Sequence, residues 1–208
     1  MIPQKEEWLA ALEKRHGKVL QNKISNTTVA ICGLGGLGSN IAVSLARAGI
    51  GKLILIDYDK VDITNLHRQQ YKACQLGEDK TNALRNNLLE IAPYIGIETH
   101  TTRLAEDNIT TLLKDADFIC EAFDVAESKA MLVNEVLEKM PEKYLIAASG
   151  MAGFDDANLI KTRKITSKFY LCGDGKSDVN DGIGLVSSRV MLCAAHQAHI
   201  VLQILNST

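Results

Sequence analysis

A polar stretch between Leu55 and Tyr71, "LIDYDKVDITNLHRQQY", gathers Asp57, Asp59, Asn65, Arg68 and Gln69, and Lys80 follows shortly after. Cationic side chains so placed can neutralise phosphoryl oxygens, and a nearby carboxylate can hold Mg2+, as phosphoryl and nucleotidyl transfer require. Asp124 supplies such a carboxylate further along the chain. Upstream, Gly33-Leu34-Gly35-Gly36-Leu37-Gly38 fits the pattern G-x-G-x-x-G. Such glycines allow a tight turn and close backbone approach, while the following helix N-terminus stabilises phosphate charge. Asp57 comes 22 residues after Gly35, where an acidic side chain can accept from a ribose hydroxyl. The glycines and Asp57 suit NAD and ATP equally. A dinucleotide site needs little beyond that acidic residue, so the surplus of polar side chains after it favours ATP.

These residues need a scaffold that brings strand ends together. Val29–Cys32 reads as a buried strand entering the glycine turn, and a helix is expected from about Ser39 to Ala48, stopped by Gly49 and Gly51. Lys52–Ile56 is a second strand ending at Asp57. Asp79 is placed to cap a helix reaching Ile91, with Leu84, Leu88 and Ile91 on one face. Further strands are expected at Ile95–Thr101, Asp117–Cys120 and Tyr144–Ala148, with a helix over Ala126–Met140 stopped by Pro141. Strand and helix alternate, the pattern of a parallel sheet covered on both faces. Beyond residue 150, Leu159–Ile165 and Lys168–Leu171 read as an antiparallel pair, and "GDGKSDVNDGIG" (Gly173–Gly184) leads into a last buried helix. Before the core, Glu6 to Asn22 reads as one amphipathic helix with Trp8, Leu9, Leu12 and Val19 on its apolar side. The expected fold is therefore α/β, doubly wound and Rossmann-like, with an antiparallel C-terminal extension. Its expected parts are a helix over 1–24, a nucleotide-binding core over 28–150, and strands with a helix over 151–208.

At 208 residues, the chain suffices for one domain with a full core. A net charge of −2 without a basic run argues against a non-specific nucleic-acid grip. Cys32, Cys74, Cys120, Cys172 and Cys193 are odd in number and never form C-x-x-C, which favours reduced thiols in a cytoplasmic protein. The charged N-terminus is unlike a signal peptide, and the apolar stretch Leu185–Leu205 carries Arg189, His196 and His199, so it reads as a buried helix and not a membrane span.

"GLGGLGSN", the pattern D-x-D-x-V-x-x-x-N-L-x-R-Q from Asp57 to Gln69, Lys80 at a helix start and Asp124 after a strand together resemble the ThiF/MoeB/HesA family, relatives of ubiquitin-activating enzymes. The resemblance covers about residues 15 to 205. It implies an enzyme that uses ATP and Mg2+ to adenylate the C-terminal glycine of a ubiquitin-like sulfur carrier, in thiamine or molybdopterin assembly. It also implies that Gly33, Gly35, Gly36 and Gly38 form the nucleotide turn, that Asp57 holds the ribose, that Asp59 is among the cofactor-binding residues, that Asn65, Arg68 and Lys80 meet the phosphates, and that Asp124 binds magnesium. Arg15, in "KRHGK", resembles the family's N-terminal arginine, which reaches the phosphates of the neighbouring subunit in a homodimer. Two other readings stand beside it: an NAD(P)-binding oxidoreductase, and a nucleotide-binding scaffold without turnover, against which the intact Asp57, Arg68, Lys80 and Asp124 set speaks.

The sequence departs from the family in places. Many relatives carry two C-x-x-C pairs for zinc, and here Cys172 and Cys193 stand alone, so no zinc of that kind is expected. Some relatives place a carrier-bonding cysteine before the final helix. Ser177–Asp181 has none, and Cys172 is the nearest substitute. Cys193, His196 and His199 are spaced by three on the last helix, but their neighbours are apolar, and core or interface histidines are the expectation.

Overall fold

A computed structural model of the chain describes residues 2–179, 182 and 184–208. Two helices, α1 (Lys5–His16) and α2 (Lys18–Ser25), stand where one was expected. Gly17 breaks the run: its φ is +80°, and its N–H closes onto the Glu13 carbonyl, ending α1. Val19 consequently turns outward and is 75% exposed, against expectation. Trp8 and Leu20 pack on the core, and Ile24 is buried in it.

The rest alternates as the spacing predicts: β1 (Thr28–Cys32), α3 (Gly36–Arg47), β2 (Lys52–Asp57), α4 (Lys80–Ile91), β3 (Gly96–Thr101), α5 (Ile109–Leu113), β4 (Phe118–Glu121), α6 (Ala126–Lys139) and β5 (Tyr144–Ala148). There follow β6 (Lys161–Lys164), β7 (Phe169–Gly173) and the long helix α7 (Ser187–Ser207). Two helix starts differ in detail from expectation. Helix α3 begins at Gly36, so Gly36 and Gly38 lie inside its first turn, where the backbone N–H of Ser39 already bonds the Gly35 carbonyl. Asp79 occupies the position before α4, but its side chain caps nothing and lies 3.5 Å from Lys60 Nζ.

The sheet runs β3-β2-β1-β4-β5-β7-β6. All neighbours are parallel except β6 and β7, so the antiparallel extension is the single edge strand β6, while β7 itself pairs parallel with β5. Each central strand buries both faces, which is why β1 and β2 read as continuous apolar runs. Val29, Ile31, Leu53 and Leu55 point toward α3, α4 and α7; Ala30, Cys32, Ile54 and Ile56 point toward α5 and α6. Each such Leu or Ile stabilises the fold by roughly 1.5–3 kcal/mol through burial. The two rims differ. β6 (Lys-Thr-Arg-Lys) is largely exposed, and β3 carries Glu98 and His100.

The strand order reverses between β1 and β4. Their carboxyl ends diverge there and leave a crevice, the place where open α/β sheets bind ligands.

Candidate functional site

A cleft of about 330 Å3 fills that crevice. Its wall on one side is the β1–α3 turn, with Gly35 and Gly36; opposite stand Asp124 and the start of α6. Asp57, Asp59, Asn65, Arg68, Gln69 and Lys80 line it as well. Of the residues expected in the site, Gly33, Gly38 and Arg15 are not among its lining. Gly33 has φ +93°, and a Cβ there would lie 2.8 Å from the Ala122 carbonyl oxygen. A Cβ on Gly38 would lie 1.8 Å from the Gly33 carbonyl oxygen. Those two glycines let the turn and helix pack; they do not face the cleft. Arg15 is exposed in the last turn of α1.

Asp57 ends β2 nearly buried, one oxygen accepting the Leu34 N–H at 2.6 Å and the other the Asp59 N–H at 2.8 Å. Burial raises its pKa, with the Lys80 ammonium and the two N–H donors opposing. Lys80 is 4% exposed. Its Nζ lies 2.8 Å from Asp59 Oδ2 and 4.0 Å from Asp57 Oδ2, so the first residue of α4 leans back over the end of β2.

Arg68 lies along the glycine turn: a Cβ on Gly36 would sit 3.3 Å from its Cγ. Burial lowers the Arg68 pKa and the Asp124 carboxylate opposes this. Gly35 faces Gln69, whose Nε2 would be 3.7 Å from a Cβ there and bonds Asn65 Oδ1 at 2.9 Å. Two buried polar atoms in this cluster, Arg68 Nε and Gln69 Oε1, have no partner. Unpaired buried groups cost about 1–3 kcal/mol each.

Sequence reasoning missed several residues that hold this arrangement. Ser39 and Asn40 fasten the Asn65–Gln70 loop to α3: Ser39 Oγ accepts the Gln70 N–H, and Asn40 Nδ2 donates to the carbonyls of Gly36 and Arg68. Tyr71 donates its hydroxyl proton to the Leu34 carbonyl at 2.7 Å. Lys129 lines the cleft from α6, and its ammonium meets both oxygens of fully buried Glu121 at 2.9 and 3.1 Å. Burial raises the Glu121 pKa, against the pull of Lys129. The signal was present: Glu121 is a lone charge in the apolar run "FICEAF", and Ser39-Asn40 a polar pair on an apolar helix.

Away from the cleft, Arg189 at the start of α7 reaches Asp174 Oδ2 at 2.6 Å and the carbonyls of Asp155 and Asp156. Asp174 Oδ1 accepts the N–H groups of Lys176 and Ser177, and Ser177 lines the cleft. Half of the "GDGKSDVNDGIG" segment is thereby anchored, whereas residues 180, 181 and 183 lie outside the described residues. On α7, Cys193 is fully buried, His196 bonds Thr162 at 2.9 Å, and His199 is exposed and so is not a core histidine. Among the described residues, no three His, Cys, Asp or Glu side chains cluster as metal ligands, and no helix is long and apolar enough to cross a membrane.

A doubly wound sheet with a polar cleft at its switch point, lined by an arginine, a lysine and carboxylates from the β2–α4 and β4–α6 connections, defines a Rossmann-like α/β protein. The chain matches the ThiF family over residues 9–208 and belongs to it. It is 38% identical to the adenylyltransferase and sulfurtransferase MOCS3 of Aedes aegypti, over 58% of this chain and 28% of that protein. It is 47% identical to ubiquitin-like modifier-activating enzyme 5 of Caenorhabditis elegans, over 43% of this chain and 20% of that protein. The chain thus spans about a quarter of the length of these curated relatives. In fold it is similar to the E. coli tRNA N6-threonylcarbamoyladenosine dehydratase TcdA in complex with ATP, with a TM-score of 0.87 and 19% identity, covering 100% of this chain and 98% of that one.

Proposed function

We propose that this chain adenylates the C-terminal glycine carboxylate of a ubiquitin-like sulfur-carrier protein at the expense of Mg-ATP. One observation carries the reading: Asp57, Asn65, Arg68, Lys80 and Asp124 line one cleft at the sheet's switch point. The two curated relatives, one an adenylyltransferase and the other a ubiquitin-like modifier-activating enzyme, support it.

The first turn of α3 leaves backbone N–H groups free to meet phosphate oxygens, and Gly35 and Gly36 let the nucleotide approach them. Asp57, with Asp59 beside it, takes the ribose end. Asn65, Arg68 and Lys80 meet the phosphates. Asp124 is the carboxylate for magnesium, which is ordinarily bound through one or two carboxylates and substrate phosphates; when bound, it offsets phosphate charge. Gly33 and Gly38 keep the turn tight. Arg15 acts from a second copy of the chain in a homodimer. A carrier carboxylate oxygen attacks the α-phosphorus, the bond to the bridging oxygen breaks, and pyrophosphate leaves with that electron pair. The nucleophile is already ionised at neutral pH, so the site needs no general base. Its task is to bring two anions together, which cationic donors achieve where charge builds up. The pathway is thiamine- or molybdopterin-type sulfur transfer, in the cytoplasm, without a zinc and without a thiol step on this chain.

ATP–pyrophosphate exchange with ubiquitin-like sulfur carriers tests this. Wild type should exchange, and Asp124→Ala should lose roughly 10²–10³ in rate. Exchange that survives in the variant removes Asp124 from the metal role. Thermal stabilisation by NADH but not by Mg-ATP would replace the reading with an oxidoreductase.

A further inference from the structure

Lys129 is a cation inside the cleft that the reading above leaves unused. Its ammonium nitrogen lies 2.9 Å from Glu121 Oε1, 3.1 Å from Glu121 Oε2 and 3.3 Å from the Ala148 carbonyl oxygen. With three acceptors on the protein itself, it is suited to holding two segments together. Glu121 is wholly buried at the end of β4 and accepts the Phe123 N–H at 2.7 Å and the Ala148 N–H at 3.4 Å. Behind it, Gln197 of α7 donates to the Glu121 and Ile146 carbonyls. The pair thus grips both ends of the turn that carries Asp124: Glu121 at the strand side, Lys129 at the helix side. Through Ala148 it grips the end of β5, from which Ser149–Ala152 continue along the cleft wall. Such a pair is a poor source of net stability, because two charges taken out of water return little beyond their desolvation cost. Its geometric effect is the better reason for its presence.

We infer that Glu121 and Lys129 are positioning residues, which fix the Asp124 turn against the Ser149–Ala152 segment so that Asp124 is held where a nucleotide-bound magnesium needs it. This rests on the reading that the cleft takes Mg-ATP. Neither residue touches the reacting atoms.

The test compares Lys129→Met, Lys129→Arg and the doubly neutral Glu121→Gln/Lys129→Met, which leaves no unpaired buried charge if the single variant fails to fold. Calorimetry gives the affinity for Mg-ATP and, in EDTA, for metal-free ATP. Partners behind a metal ligand typically change metal affinity ~10–100-fold. Lys129→Met and the double variant should therefore bind Mg-ATP at least ~10-fold more weakly, with metal-free ATP changed less than about twofold, and Lys129→Arg should recover most of the loss. Hydrogen exchange should rise at residues 122–126 and 148–152 in both neutral variants and stay constant in β1 and β2. If the folded variants bind Mg-ATP like wild type, or lose metal-free ATP equally, the inference is overturned and the pair only stabilises the fold. If wild type itself binds no Mg-ATP, the functional reading fails instead.

Discussion

Replacing Gly38 by alanine separates packing from ligand contact in the glycine turn. The new Cβ would stand 1.8 Å from the Gly33 carbonyl oxygen, 2.9 Å from the Gly33 carbonyl carbon and 3.1 Å from Ile31 Cγ2. Two of these atoms are backbone, so nothing can rotate aside; α3 must back away from the turn by more than an ångström. Overpacking of a well-filled core costs about 1–3 kcal/mol, and a backbone obstacle belongs at or above the upper end. Alanine's better helix propensity returns at most about 1 kcal/mol. The net loss is then ~2–3 kcal/mol, which in a chain of this size lowers Tm by roughly 4–12 °C. Gly35→Ala is the contrast. Its Cβ meets only Gln69 Nε2, at an ordinary 3.7 Å, but it adds a methyl group to the cleft wall. Calorimetric melting and ATP titration of both variants give a crossed result: Gly38→Ala melts early, whereas Gly35→Ala melts like wild type and binds ATP at least ~10-fold more weakly, the cost of about 1.4 kcal/mol of misfit. A Gly38→Ala protein with unchanged Tm would refute the packing argument.

Other expected outcomes follow from the same structure. Arg68→Ala should lower pyrophosphate exchange by roughly 10²–10³, as loss of one preorganised cationic donor does, without lowering Tm, since it also removes the unpaired Nε. Asp174 titrates well below the ordinary carboxylate range: burial would raise it, but the Ser177 and Lys176 N–H groups and Arg189 outweigh that. Its contribution to stability is therefore complete above about pH 4 and is lost as pH falls below that value, so Asp174→Asn should flatten the acid limb of a Tm-against-pH curve. Native alkylation should label Cys74 alone: Cys32, Cys120, Cys172 and Cys193 are buried, and burial pushes the Cys172 thiol to about 11 and Cys193 to about 12. Mass spectrometry should count one adduct in buffer and five in denaturant; an adduct on native Cys172 would reopen covalent capture of the carrier.

The strands were legible because a doubly covered parallel sheet writes itself as apolar runs, so Val29–Cys32 and Lys52–Ile56 needed no more than composition and spacing. The cleft was legible for a related reason: in open α/β sheets it lies at the carboxyl ends of strands, and Asp57, Arg68, Lys80 and Asp124 sit at or beyond such ends. Elsewhere tertiary contact overrode local preference. The start of α3 at Gly36 contradicts the poor helix propensity of glycine: a Cβ at Gly36 would meet Val190 Cγ1 at 2.9 Å, and one at Gly38 the Gly33 carbonyl oxygen at 1.8 Å. The break at Gly17 hid inside an apolar period that runs through it. Spacing also does not tell which glycines of a turn face the cleft; Gly35 and Gly36 do, whereas Gly33 and Gly38 face the backbone. Lys129 escaped because nothing local marks it. Its partner Glu121 is distant in register, on a strand rather than on its own helix.

The two rims of the sheet constrain how copies of the chain could assemble. At one, three of the four β6 residues are basic, and at the other, Glu98 lies 2.7 Å from Lys52 Nζ and 2.6 Å from His100 Nε2. A strand arriving from a neighbour would have to stack its side chains among fixed charges, with like charges opposed if that neighbour offered its own β6. Growth of a continuous intermolecular sheet is thereby discouraged.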